Sequence, residues 1–348
     1  MSATGAVRPG HAALRPPPRL SPGATIGIVS TSAWAAERFP ERTRRALVAL
    51  EHALGGPARL LPAEPIDGGV AGPPQVRAGQ FLDLLRDPQV GAVLTTIGGN
   101  NSNDLLDHLD EAAGLPPKPV VGYSDNTALL LGYQARTGAI VFYGPALLPQ
   151  FGEWPSPFAE TVTSLRHAVV DGGGGELPLP GWWAEPGGDW SRRDEYRRAR
   201  HEGGPLVLRP GRADGVLFGG NVPTLGCLAG TRWWSPPPGP TVLCVEATAI
   251  ASEIPRFRHS LVHLRHTGLL DRVTALLVGR APGMPREGEW RDGFHRTLLE
   301  CAPADVPIII DLPFGHTDPL TTLPLGAAVE LDAGEHGVAL RVLGPTVG

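Results

Sequence analysis

Three residues of this chain, Ser124, Glu246 and His316, are of the types that nucleophilic catalysis requires. A serine attacks a carbonyl only when an imidazole takes its proton, and the imidazole works best when a carboxylate orients it. Each residue closely follows a short apolar run. Ser124 comes after Lys118–Gly122, Glu246 ends Thr241–Val245, and His316 follows Ile308–Ile310 inside a Pro/Gly-rich loop. Apolar runs of this length read as buried strands, and ligands of open α/β sheets bind at the carboxyl ends of such strands.

Each position also has a plainer reading. Ser124-Asp125 after a strand is an ordinary helix N-cap. In the catalytic reading, Gly122 allows a sharp strand-to-helix turn, and the N–H of Asp125 at the helix start stabilises an oxyanion. Asn126 stands where the second glycine of a G-x-S-x-G elbow would be. Glu246 follows a run buried on both faces, so it needs a partner: an imidazole, or an arginine such as Arg256. The pair Gly98-Gly99 permits a tight turn or a close backbone approach to a ligand. It lacks the rest of a dinucleotide fingerprint and the Walker lysine, so a second oxyanion donor is its better use.

Two other function classes are open at this point. His259, His263 and His266 share one face of a helix, which suits a metal, but Ile254, Phe257, Leu261 and Leu264 occupy the opposite face and turn the histidines outward. A nucleotide-binding module without catalysis would use Gly98-Gly99 together with Trp182, Trp183 and Trp190.

Strands alternate with helices from Ala24–Ser30 through Glu41–Leu54, Gln75–Leu85, Ala92–Ile97, Asn103–Leu109 and Lys118–Gly122 to Thr127–Arg136. The pattern predicts a mostly parallel sheet covered on both faces. From Gly215 strands return at Gly215–Phe218, Thr241–Val245, Ala275–Val278, Val306–Asp311 and Ala328–Leu331, with a helix over Ser252–Gly268. The expected organisation is a disordered leader over 1–20, a nucleophile domain over 21–165, a linker and Trp/Arg-rich loop over 166–210, and a second α/β domain over 211–348 carrying Glu246 and His316.

The totals fit a soluble two-domain protein: 348 residues, 42% hydrophobic, 19% charged, net charge -5. That charge gives no footprint for nucleic acid or an anionic membrane, so small-molecule partners are expected. Cys227, Cys244 and Cys301 are too scattered for a disulfide framework or a zinc knuckle. Without an apolar signal segment or a span of about 18 apolar residues, the expected location is the cytoplasm.

Several segments together resemble the LD-carboxypeptidase family of serine peptidases, which includes the microcin C7 self-immunity proteins. They are Thr96–Leu106 (TIGGNNSNDLL), Val121–Leu131 (VGYSDNTALLL), Thr137–Pro145 (TGAIVFYGP), Gly219–Thr231 (GGNVPTLGCLAGT), Leu243–Glu246, Leu264–Arg280 and Pro313–Asp318 (PFGHTD). The resemblance implies a flavodoxin-like parallel-sheet N-terminal domain plus a smaller swivelling β/α C-terminal domain. It places the nucleophile at Ser124, the carboxylate at Glu246 and the base at His316. Oxyanion donors would be backbone amides of Asp125 and of Gly98 or Gly99, and Asn221 would line the substrate pocket. It implies no metal or organic cofactor, and a homodimer. The family has two substrate branches: a murein tetrapeptide cut at an L–D bond, and an aminoacyl or peptidyl group joined by an amide to a toxic nucleotide analogue. TIGGNNSNDLL, FYGPALLPQFGE and the Trp-rich insertion resemble the self-immunity branch. There Trp182, Trp183 or Trp190 would stack a purine, and Arg192, Arg193 and Arg197 would attract a phosphate-like group. One departure is Ala247-Thr248 after Glu246, where the pattern calls for an acidic residue.

Overall fold

The computed structural model describes residues 14–191, 196–248, 254–285 and 287–348. In the first half the elements alternate as β1 (Thr25–Val29), α1 (Pro40–Leu54), β2 (Ala58–Leu60), α2 (Pro74–Arg86), β3 (Val90–Thr95), β4 (Val120–Gly122), α3 (Thr127–Thr137) and β5 (Val141–Tyr143). Both α1 and α2 start with proline in the first turn, where its missing N–H has no helical partner to lose. The strands are β-branched and apolar, and nearly every residue of β1, β3, β4 and β5 is buried. That is the pattern of a sheet covered on both faces. Asn103–Leu109, read as a helix, is a 3₁₀ segment over Ser102–His108.

The five strands pair in parallel in the order β2-β1-β3-β4-β5. This is the flavodoxin-like order, whose switch point lies between β1 and β3. Chain reversal there opens a crevice at the strands' carboxyl ends.

The second half begins with α4 (Ala159–Arg166), β6 (Gly175–Glu176), β7 (Trp182–Trp183), β8 (His201–Glu202), β9 (Leu206–Arg209) and β10 (Gly211–Asn221). It continues through α5 (Val222–Leu228), β11 (Thr241–Glu246), α6 (Ile254–His266), β12 (Val273–Gly279), α7 (Glu289–Cys301), β13 (Ile308–Leu312), β14 (Leu323–Leu325), β15 (Ala328–Gly334) and β16 (Gly337–Val342). Here an eight-stranded sheet runs β6-β16-β15-β10-β11-β12-β13-β9, with β10 to β13 parallel and the outer strands antiparallel.

The structure corrects two expectations about segments read as unstructured. Residues 14–20 belong to the fold: Leu14 and Leu20 donate backbone hydrogen bonds to Gly326 and Val169, and the Leu20 side chain is buried. Residues 1–13 of the expected leader lie outside the described residues. The 166–210 segment is more than a linker, since β6 and β9 from it form the two edges of the second sheet. The halves also interlock. Strand β14 leaves the second half and pairs antiparallel with β5 on the first sheet, with Leu323 opposite Tyr143. No helix among the described residues is long and apolar enough to cross a membrane.

Candidate active site

Ser124 sits where β4 turns toward α3. Its backbone is left-handed, with φ 62°, a region that costs a residue with a Cβ about 1–2 kcal/mol. The turn is tight because Gly122 lies against Thr95 Oγ1, where a Cβ would come within 2.7 Å. Thr127 then fastens it, its hydroxyl donating to the Ser124 carbonyl oxygen at 2.7 Å.

From the second half, β11 ends at Glu246, which is 1% exposed. The loop after β13 brings in His316. Its Nε2 lies 2.9 Å from Ser124 Oγ, and its Nδ1 lies 2.6 Å from Glu246 Oε2. The other carboxylate oxygen, Oε1, accepts from Tyr143 Oη at 2.5 Å and from Asn221 Nδ2 at 3.0 Å. Burial opposes ionisation of Glu246, but His316 and these donors outweigh it and hold the carboxyl below its usual range. The arginine-paired alternative for Glu246 is replaced by this set of partners. Close approach of the histidine loop depends on Gly315, at φ 100°, where a Cβ would lie 3.0 Å from Glu246 Oε2.

A cleft of about 380 Å³ opens over Ser124 and His316. Ala33 after β1 and Gly98 and Gly99 after β3 line it at the switch point, and Thr248 and Trp190 line it as well. At Gly98 a Cβ would stand 3.2 Å from Ser124 Oγ and 3.4 Å from the Asp125 nitrogen. The glycine therefore keeps open a space between the Ser124 hydroxyl and the Asp125 amide. The Asp125 carboxylate turns away, accepting from the N–H groups of Asn101 and Ser102 at 2.9 Å each. This binds the Gly98-Gly99 loop to the serine turn.

The aromatic candidates separate. Only Trp190 lines this cleft; Phe39 meets its ring edge-on at 5.6 Å and the Arg42 guanidinium covers it at 4.2 Å. Its buried indole N–H has no hydrogen-bond partner among the described residues. Trp182 packs on Phe158, donates to Glu160 at 3.0 Å and lies under Arg200. Trp183 stacks on His201 at 4.5 Å and faces a different cleft, with Arg280 above it. Both β7 tryptophans are structural contacts outside the Ser124 cleft. Asn221 supports Glu246 and donates its backbone N–H to Thr127 Oγ1 at 2.9 Å, so it stands behind the cleft, not in it. Arg197 is exposed beside another cleft, and Arg192 and Arg193 lie outside the described residues. His259, His263 and His266 are exposed on α6, and no metal-holding cluster occurs among the described residues.

Several residues around the site were not singled out from the sequence. Tyr143 ends an apolar strand before Gly144, a weak cue. Tyr123, Gln150 and Asp318 line the cleft floor. Gln150 donates to Asp318 Oδ1 at 3.3 Å, and Arg198 forms ion pairs with Asp318 Oδ2 at 2.8 Å and with Glu153 at 2.9 Å. Long sequence separations hide this network.

Models of the LD-carboxypeptidase N-terminal and C-terminal domains match residues 26–144 and 214–331. A putative carboxypeptidase of Vibrio cholerae is 32% identical, covering 92% of this chain and 96% of its own. The chain belongs to the LD-carboxypeptidase family. Among other LD-carboxypeptidase relatives, the microcin C7 self-immunity protein MccF of Escherichia coli is 30% identical over 76% of this chain and 77% of its own. The murein tetrapeptide carboxypeptidase of Pseudomonas aeruginosa is 26% identical over 76% and 79%. The structure of MccF in complex with aspartyl sulfamoyl adenosine superposes with a TM-score of 0.84 at 26% identity, covering 96% of this chain and all (100%) of that one. The flavodoxin-like and second sheets thus follow the fold of this family.

Proposed function

We propose that this protein is a serine hydrolase that cleaves the amide joining an aminoacyl or peptidyl group to a nucleotide-like toxin, serving self-immunity or detoxification. The carrying observation is the hydrogen-bonded line Ser124–His316–Glu246, opening on a cleft walled by Trp190. His316 Nε2 takes the Ser124 proton as Oγ attacks the amide carbonyl, while Glu246 holds the imidazole and balances its charge. The oxyanion faces the N–H of Asp125 and the Gly98-Gly99 backbone. His316 then protonates the leaving amine, and water activated by the same imidazole releases the acyl group as a carboxylic acid.

The aminoacyl-nucleotide reading is favoured over murein cleavage by Trp190, an aromatic ring lining the cleft, where a purine would stack against a ring that Arg42 already backs. A nucleotide-analogue complex of MccF supports the same direction. The second reading, a murein tetrapeptide carboxypeptidase, rests on relatives of that branch. The reading includes work in the cytoplasm, as a homodimer, without metal or organic cofactor.

Purified protein incubated with an aminoacyl sulfamoyl adenosine and, separately, with a murein tetrapeptide tests this by mass spectrometry. Ser124-dependent cleavage of the first supports the proposal. Release of D-alanine from the second replaces it with the murein reading. Activity retained in Ser124→Ala overturns the mechanism.

A further inference from the structure

Tyr143 is buried at 1% exposure, on the strand between the element that leads into Ser124 and the one that trails His316. Its backbone pairs with Gly122 on one side and Leu323 on the other. Its hydroxyl meets two groups of the site at once. The Ser124 N–H can only donate, and does so to Tyr143 Oη at 2.8 Å. The Glu246 carboxylate can only accept, so the single phenolic proton goes to Oε1 at 2.5 Å. Donor and acceptor roles are therefore fixed without choice of rotamer or tautomer.

We propose that Tyr143 is a positioning residue for the hydrolysis described above, clamping the backbone of the nucleophile to the carboxylate that orients the base. This rests on the Ser124–His316–Glu246 reading.

Three features make the clamp consequential. Ser124 is held in a left-handed conformation that a residue with a Cβ resists, and its N–H is the group Tyr143 grips. Because that N–H is occupied, it is not an oxyanion donor, which leaves Asp125 and the Gly98-Gly99 loop for that role. Burial, followed by the neighbouring Glu246, pushes the phenol far above its ordinary range, so it keeps its proton throughout the working pH range. Glu246 has Asn221 as a further donor on the same oxygen, so losing the phenol weakens the carboxylate's support without abolishing it. A carboxylate with one donor fewer presents more negative charge to the imidazolium that forms as Ser124 attacks, so the pH profile of the reaction reads the clamp. The other groups facing His316 are the Tyr123 ring at 5.2 Å and, in the same cleft, Asp318, which is paired to Arg198.

The test is Tyr143→Phe, measured on whichever substrate the wild type cleaves, with Ser124→Ala alongside. The expected result is kcat lower by about 10- to 100-fold with KM within about twofold, the range seen when the partner that orients an active group is removed. The acid limb of the kcat/KM profile should move to higher pH by roughly half a unit or more. A second variant carries 3,5-difluorotyrosine at position 143, which keeps the ring packing and makes the phenol a stronger donor. It should shift the acid limb the opposite way, to lower pH, and so preserves the test if the phenylalanine variant does not fold. Unchanged profiles in a folded Tyr143→Phe, or no shift with the fluorinated residue, overturn the clamp while Ser124→Ala is inactive. Full activity in Ser124→Ala instead overturns the underlying mechanism.

Discussion

Arg198 and Asp318 form a buried ion pair at 2.8 Å, joining the segment that carries Trp190 to the loop that carries His316. Arg198 also meets Glu153 at 2.9 Å and gives a hydrogen bond to the Glu185 carbonyl at 2.7 Å. Ala184 and Asp318 exchange backbone hydrogen bonds beside it. One arginine thus serves two buried carboxylates. Arg198→Met leaves Asp318 without its cation and Glu153 with only the longer contact to Arg42 at 3.9 Å, and should destabilise the protein by roughly 3–5 kcal/mol. Urea unfolding checks this, and a loss below about 1 kcal/mol would show that the pair is not a structural tie.

The left-handed serine gives a prediction that separates catalysis from strain. Ser124→Ala and Ser124→Gly both remove the hydroxyl and should both be inactive. Only glycine relieves the φ of 62°, so Ser124→Gly should be more stable than Ser124→Ala by about 1 kcal/mol. Thermal unfolding of the two side by side decides it.

Gly98 should tolerate no side chain. A methyl group 3.2 Å from Ser124 Oγ would fill the space that the proposed oxyanion needs. Gly98→Ala is expected to lower kcat/KM by about 100-fold, the scale of a 1 Å misplacement or a lost oxyanion donor. Circular dichroism should show an unchanged fold.

Trp190→Ala should raise KM for an aminoacyl nucleotide by about 10- to 100-fold, given roughly 1–3 kcal/mol per stacked base. Trp182→Ala should leave that KM unchanged, because Trp182 packs on Phe158 away from the cleft. Equal effects of the two substitutions in steady-state kinetics would remove the stacking role from Trp190.

Glu246 sets a pH dependence of stability. Its folded-state value is depressed below 4.5 by His316 and its hydrogen-bond donors despite burial. Such a group contributes stability above its unfolded value, and that contribution is lost as pH falls through the folded value. Comparison with Glu246→Gln, which has no such titration, should therefore show the wild type losing relative stability only below about pH 4.5. Denaturant unfolding from pH 7 to pH 3 reads it directly.

Much of the fold could be read from the sequence because its strands are short, β-branched and closed by glycines. Thr25–Val29, Val90–Thr95 and Thr241–Glu246 lie within a residue or two of their expected bounds. Ser124, Glu246 and His316 were legible because each is a polar residue placed just past an apolar run. What escaped notice depends on pairing across long separations. Nothing in the sequence assigns Leu323–Leu325 to an element, and only its pairing opposite Val141–Tyr143 makes it a strand. Trp182, Trp183 and Trp190 look equivalent in composition, yet only the register of β7 against β8 and the ring of Arg42 and Phe39 contacts distinguish them. Arg198 sits in an arginine-rich stretch that reads as solvated surface, and only tertiary packing shows its two buried partners.

The strand exchange at β14 has a consequence for biosynthesis. The first sheet cannot close its β5 edge until Leu323–Leu325, far downstream of Tyr143, has left the ribosome. Until then Tyr143 waits on an unpaired edge. A product that stops before Leu323 therefore leaves the β5 edge open, an incomplete and aggregation-prone sheet.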